Sequence, residues 1–355
     1  IPIKSIKTTG KTLVTGAAGF IGGRIVETLY LSGERDVRAG IRQWASAARL
    51  GRFPVDIVKM DLLNKDEIKQ ALDGVDKIIH CAYGDSAVTV QGTTNLLEAS
   101  MEKKIDRFVH LSTSEVYGDV SGQINEDSPL QYSGNEYSRM KIDAEKACWE
   151  FHRKGLPIVI IRPSIVYGPF GRNWTVRFAK TFIAGKGAIY EIYGEGKCNL
   201  VFIDDLVKGI LIAIEHKNAI GQAFNFNGPE VISWNEYFQR FNEKMGLSPL
   251  KSINMFKVDM RSALMGPVRI LGRFVRDNFM GPAKKIAETS EFVNIMMKRT
   301  ENKLKTTLSR EELKLFNKDT IYSCNKAKKL IKFYPSFSID EGLNLTVAWL
   351  KHNGY

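Results

Sequence analysis

The segment KTLVTGAAGFIGGRIVETLYLSG (11–33) restricts what this chain can fold into more than any other stretch. A short apolar run enters a turn carrying Gly16, Gly19 and Gly22 at GxxGxxG spacing. Apolar residues then recur at helical spacing until Gly33. Glycines permit a tight turn and let backbone approach a pyrophosphate seated on the helix N-terminus. A lone glycine pattern is weak evidence. The strand–turn–helix context favours a dinucleotide-binding turn over a merely glycine-rich one.

The same alternation continues downstream. Strands are expected over 36–42, 55–62, 75–82, 106–113 and 156–168, with helices over 65–74, 92–104 and 136–155. Such βαβ order predicts an α/β fold, a Rossmann-type doubly wound parallel sheet. After Tyr167 the alternation loosens into loops and short strands. It returns at NLVFIDDLVKGILIAIEH (199–216), followed by an amphipathic helix over 233–246. The expected organisation is a dinucleotide-binding domain of 10–168 plus about 199–228. A smaller C-terminal substrate-binding lobe then takes 169–198 and 229–355.

Two further motifs carry chemistry. Tyr137 and Lys141 stand one helical turn apart in YSRMK, so a phenol and an ammonium share a face. The ammonium is expected to lower the cost of ionising the phenol. Upstream, Thr113 lies in LSTSEVYG, where its hydroxyl can hold a reacting oxygen against that phenol. With a dinucleotide turn in the same chain, these describe a hydride-transfer site. TTGKT (8–12) is a false lead, since a P-loop needs a glycine where Ser5 stands, and Lys11 precedes the strand.

Composition excludes several other classes. No apolar run approaches the roughly 20 residues of a transmembrane helix, and IPIKSIKTTGK lacks the apolar core of a secretory leader. Cys81, Cys148, Cys198 and Cys324 form no CxxC pair and read as idle thiols of a cytoplasmic protein. The scattered histidines have no metal-ligand spacing, so no metal is expected. The net charge is +12, but residues 251–334 alone hold 19 basic and 8 acidic side chains. The rest is close to neutral, which argues against a nucleic-acid binder. Within that basic stretch, 262–280 puts Leu264, Val268, Leu271, Val275 and Phe279 on one stripe, and Arg269, Arg273 and Arg276 on another. Such a helix can rest peripherally on an anionic membrane, cover the substrate lobe, form an oligomer interface or attract a phosphorylated substrate.

TGAAGFIG, TSEVYG, YSRMK and RPSIVYGP (162–169) together resemble the extended short-chain dehydrogenase/reductases, the superfamily of nucleotide-sugar epimerases and dehydratases. The resemblance covers 10–235 and returns over 317–350, where KA…EGL…W is similar to the family's closing motif. It implies that Thr113, Tyr137 and Lys141 are catalytic, with Lys141 also donating to the nicotinamide ribose. It implies a cofactor site of Gly16, Gly19, Phe20, Ile21, Gly22, Asp61, Leu62, Cys81, Ala82 and Pro163, joined by Tyr137 and Lys141. Asp61 would face the adenine, while His80 would pack in the floor of the site. The resemblance further implies a small-molecule substrate, a nucleotide sugar, and a homodimer.

The chain departs from the family in four places. Where an NAD site carries an acid, VRAGIRQ offers Gly40 and Ile41, then Arg42. The segment is similar to VRAxVR of the dihydroflavonol-reductase-like branch, where the second arginine contacts the 2′-phosphate of NADP. NADP is therefore the expected cofactor and NAD the alternative, while Arg42 can also be a plain surface arginine. The stretch between His80 and Gly92 is shorter than the family's. Ser114 stands where 4,6-dehydratases have their acid, which disfavours dehydration; Glu115 can face substrate or cap the next turn. Lastly, KCNL replaces a diphosphate-clamping arginine, with Arg172, Arg177 or Lys197 as substitutes. Ser114, Glu115, Ser164, Tyr167 and Asn199 are the substrate-binding candidates.

The first functional reading is an epimerase or ketoreductase acting on a nucleotide-linked sugar. The second is an NADP-dependent ketone reductase of the sterol or dihydroflavonol-reductase type. A third, a cofactor-bound but catalytically idle regulator, is opposed by the intact Thr113, Tyr137 and Lys141.

Overall fold

The fold is a computed structural model that describes residues 8–132, 134–253 and 310–355. The helix expected over 262–280 therefore lies outside the described residues. The described chain divides into two compact units. The first holds residues up to Val176, then Asn199–Val231 and Thr320–Trp349; the second holds Arg177–Cys198, Ile232–Asp319 and Leu350–Tyr355.

The first unit is built on a seven-stranded sheet. Its strands are β1 (Thr12–Thr15), β2 (Val37–Ile41), β3 (Asp56–Lys59), β4 (Lys77–His80), β5 (Arg107–Leu111), β6 (Ile158–Pro163) and β7 (Gln222–Phe226). Their spatial order is β7-β6-β5-β4-β1-β2-β3, and every pairing is parallel. The helices α1 (Phe20–Leu31), α2 (Lys65–Ala71), α3 (Gly92–Glu102), α4 (Glu136–Arg153) and α5 (Ile203–Glu215) flank it. This is the doubly wound arrangement expected from the alternation. The central strands are buried throughout, which is why they read as continuous apolar runs without alternation. Leu13, Ile78, Phe108, Ile158 and Ile160 pack with Leu96 and Leu97 of α3 and Cys148 of α4 into one core.

Local signals set the helix limits. Asn64 caps α2 by accepting from Asp66 N and Glu67 N, and Asn135 caps α4 by accepting from Tyr137 N. Past α4, Gly155 adopts φ 107°, a conformation that ends helices at little cost for glycine. Between β4 and α3 the short stretch is a single wide helical turn, Ala87–Gln91, running straight into α3.

Residues 320–349 pack as part of the first unit. Strand Thr320–Tyr322 pairs in parallel with Gly122–Ile124. Asp205 of α5 holds the next segment by accepting from Ser336 N, Ser336 Oγ and Phe337 N at 2.9–3.0 Å. The second unit is described by its own core. Strands Ala188–Tyr190 and Lys251–Ile253 pair, and Phe178, Phe182, Trp234, Phe238 and Phe316 pack edge to face around them. Among the described residues no helix is long and apolar enough to cross a membrane.

One buried ion pair ties α4 to β6. Arg162 donates from Nε to Glu145 Oε1 at 3.0 Å and from Nη2 to Oε2 at 2.7 Å. Both side chains are almost wholly buried. Arg162 Nη1 also donates to Tyr117 Oη at 2.9 Å, and Tyr117 donates to Asn225 Oδ1 at 2.7 Å. Removing one partner leaves a charge without compensation in the core. Glu145→Ala is therefore expected to lower the unfolding free energy by about 3–5 kcal/mol, read from denaturant midpoints.

Candidate active site

The turn after β1 fits a pyrophosphate by its shape. Gly16 adopts φ 63°, and a Cβ there would sit 2.8 Å from Ala82 N. A Cβ on Gly22 would lie inside van der Waals contact of Gly16 O. Gly19 is the N-cap of α1, with no side chain capping it and no acid in the first turn, where Phe20 and Ile21 follow. The positive end of the helix dipole thus faces the turn without a protein anion against it. Ala17 N donates to Gly40 O at 3.2 Å, which fixes the turn against the end of β2.

The adenine side of the site follows from that anchor. Arg42 directly follows β2 and is exposed. Arg38 is committed elsewhere: it pairs with Asp56 and donates to Ala71 O and Asp73 O. A side chain at position 40 would start 2.6 Å from Met60 Sδ, so no carboxylate fits there without moving Met60. Asp61 is half-buried and accepts from Leu63 N at 3.0 Å, while Leu62 O accepts from Asn95 Nδ2 at 2.9 Å. Cys81 and Ala82 are half-buried just past β4, and Pro163 is buried at the end of β6.

Thr113, Tyr137 and Lys141 come together. Thr113 follows β5 and is 8% exposed, and its hydroxyl lies near the Tyr137 phenol. Burial pushes that phenol up to about 12; Tyr83 and Glu115 add to the rise, and the Thr113 hydroxyl opposes it. Lys141 is buried and donates to Leu111 O at 2.7 Å. Burial pulls its ammonium down to about 8, against the influence of Cys81, Glu145 and Cys148. The expected lowering of the phenol by the ammonium is not what dominates here. Desolvation acts on both groups, and the Lys141 ammonium is turned to the end of β5.

His80 is a floor residue. Its Nδ1 lies 2.7 Å from Thr15 Oγ1 and its Nε2 lies 3.0 Å from Thr93 Oγ1. Thr15 Oγ1 accepts from Ala82 N, while Thr93 Oγ1 donates to Thr89 O at 2.6 Å. Those outer bonds fix the direction of the chain, so Nδ1 accepts and Nε2 donates. Both nitrogens of the neutral ring are thereby used. His110 lies ring to ring with it at 5.5 Å, and burial holds that imidazole neutral as well.

The substrate candidates are distributed unevenly. Glu115 is half-buried; its amide donates to Thr113 Oγ1, and its carbonyl accepts from Ser138 Oγ. Ser114 is buried, and its hydroxyl lies near the Tyr322 phenol. Ser164, Tyr167 and Asn199 are buried. Ser164 donates to Asn227 Oδ1, Asn227 Nδ2 donates to Asn199 Oδ1, and Asn199 Nδ2 donates to Thr320 O. That seam binds strand Thr320–Tyr322 to the sheet. Two residues at the site carried no signal in the sequence. Tyr83 stacks edge-on to Tyr137 at 6.1 Å, and Arg49 donates to Gly19 O and Phe20 O. Each is an ordinary residue type, Tyr83 in a loop and Arg49 at the end of a short helix, and only the fold brings it to the site.

These groups define a nicotinamide-dependent short-chain dehydrogenase/reductase. The chain belongs to the NAD dependent epimerase/dehydratase family, whose model matches residues 12–227. It is 32% identical over 254 residues to an uncharacterized UDP-glucose epimerase, YtcB, of Bacillus subtilis, covering 62% of this chain and 77% of that one. It is 29% identical over 256 residues to a 3-beta-hydroxysteroid dehydrogenase of Mycolicibacterium neoaurum, covering 64% and 68%. Its fold is similar to that of UDP-glucuronic acid 4-epimerase from Bacillus cereus in complex with NAD. The TM-score is 0.71 at 24% identity, over 97% of this chain and 100% of that one.

The neutral His80 makes stability depend on pH. Burial drops its pKa from 6.5 to about 3. Unfolding exposes a ring that binds a proton below 6.5, so this stabilisation is complete above 6.5 and is lost as pH falls toward 3. Denaturation midpoints measured from pH 7 down to pH 4 are expected to fall more steeply for the wild type than for His80→Asn.

Proposed function

We propose that this chain is an NAD(P)-dependent oxidoreductase acting at a hydroxyl or keto carbon of a nucleotide-linked sugar, as an epimerase or ketoreductase. The observation that carries the reading is the placing of Thr113 just past the end of β5 near the Tyr137 phenol, with Lys141 one helical turn on and held to Leu111 O. The epimerase names among its relatives support a sugar substrate.

Tyr137 holds the proton exchanged with the substrate oxygen; resting near 12, its phenol is a donor at neutral pH. Thr113 holds the same oxygen in line with that phenol. Lys141 keeps positive charge one helical turn from the phenol and would donate to the ribose of a bound dinucleotide. A bound nicotinamide would supply or accept the hydride. Gly16, Gly19, Phe20, Ile21 and Gly22 would carry the pyrophosphate, with Asp61 and Leu62 at the adenine and Cys81, Ala82 and Pro163 beneath the nicotinamide. Ser114 and Glu115, which follow Thr113 in the chain, would orient the sugar. The active form is proposed to be a homodimer.

Within this reading NADP is the preferred dinucleotide. An exposed Arg42 two residues beyond Gly40, where an NAD site carries its acid, supports it, since a guanidinium fork matches a phosphate. The same feature, with the hydroxysteroid dehydrogenase among the relatives, favours the second reading, an NADP-dependent reductase of hydrophobic ketones.

Two measurements test this. Tyr137→Phe is expected to lower kcat by about 10²–10⁴-fold while leaving dinucleotide binding and the thermal midpoint in place; unchanged turnover removes the catalytic assignment. Arg42→Ala is expected to weaken NADPH about 10- to 100-fold and leave NADH unaffected, by fluorescence titration after the nucleotide retained on purification has been identified. Tightly retained NAD would instead favour a redox-neutral epimerase and remove Arg42 from this role.

A further inference from the structure

The wall beside the catalytic pair is formed by one aromatic ring. Tyr83 follows Ala82 in the short segment between β4 and α3, and its side chain is 65% exposed. Its ring is edge-on to that of Tyr137, with centroids 6.1 Å apart and planes at 70°. The Lys141 ammonium lies 5.7 Å from the same ring. A large aromatic ring this exposed, with both ring contacts made to proposed catalytic side chains, is not explained by packing.

The backbone holds the ring in place. Gly84 N donates to Thr89 Oγ1 at 3.1 Å, and the same hydroxyl lies 3.2 Å from Gly84 O. Thr89 is buried, and Asp85 Oδ1 accepts from Val88 N at 2.9 Å. A Cβ on Gly84 would press on Val88 at 3.1 Å, so the segment closes tightly just after Tyr83. The segment is thus a braced arm and presents its ring beside Tyr137 and Lys141.

We propose that Tyr83 is a substrate-specificity residue that seats the C–H face of the hexose ring, so that the reacting carbinol carbon lies under Tyr137. A pyranose has one face rich in polarised C–H groups, which pack on an aromatic face. This bury apolar area without requiring a hydrogen bond. The nearby ammonium faces the same ring and leaves the outer face for a neutral, ring-shaped ligand. The proposal rests on the nucleotide-sugar reading above.

The test uses full-length enzyme loaded with its dinucleotide. Steady-state kinetics would be measured with UDP-glucose and UDP-glucuronic acid for the wild type, Tyr83→Phe, Tyr83→Leu and Tyr83→Ala. Dinucleotide affinity and thermal midpoint would be read alongside. Tyr83→Phe is expected to keep the wild-type KM. Tyr83→Leu and Tyr83→Ala are expected to raise KM about five- to tenfold with kcat changed less than twofold and dinucleotide affinity unchanged. Equal KM values across the series, with an active wild type, overturn the role of Tyr83 and leave the sugar reading standing. A loss of dinucleotide affinity in Tyr83→Leu makes the ring part of the cofactor wall and also overturns it. A wild type that binds neither sugar, by calorimetry on the loaded enzyme, overturns both readings.

Discussion

The placement of the whole site depends on how closely the turn after β1 approaches its neighbours. β1 lies between β4 and β2, so the chain leaves the sheet in opposite directions on its two sides. A crevice forms at such a reversal, beyond the carboxyl ends of the strands. Gly16 sits against the backbone of Cys81 and Ala82, and Ala17 bonds to Gly40. Any side chain at position 16 would push the turn off β4 and move α1 with it. The N-terminus of α1, the end of β2 with Arg42 and the arm carrying Tyr83 are all set by that one contact. Thr113 and Lys141 share the other side, because the Lys141 ammonium is fixed to the last carbonyl of β5.

The parts of the fold legible in the sequence are those whose pattern has a local cause. Parallel strands covered on both faces must be apolar throughout, and Asn64, Asn135 and Gly155 mark helix ends by their own chemistry. The grouping of Thr113, Tyr137 and Lys141 was legible because Tyr137 and Lys141 are joined by helical spacing and Thr113 follows a strand. What escaped has causes remote in sequence. Thr320–Tyr322 pairs with Gly122–Ile124 across about 200 residues, and no periodicity announces it. Ser164 and Asn199 look like ligands for substrate as isolated polar residues near a motif. In the fold they are buried and bonded through Asn227, because a strand arriving from far along the chain needs its polar groups satisfied. Tyr83 escaped for a related reason: nothing in its neighbours says that a six-residue clasp around Gly84 and Thr89 will turn it toward Tyr137.

The electrostatics of the trio bear on the direction of the chemistry. Burial raises the phenol and lowers the ammonium, so the two pKa values move apart, to about 12 and about 8. At neutral pH Tyr137 keeps its proton and Lys141 is still mostly charged. That resting state can give a proton to a forming alkoxide at once. To take one from a carbinol, the phenol must first be brought down, and within the protein the nearby Thr113 hydroxyl is what favours its ionised form. An epimerase needs both directions in each cycle, whereas a reductase needs only the donation. The desolvation that keeps the phenol protonated is the same that keeps His80 and His110 neutral under the site.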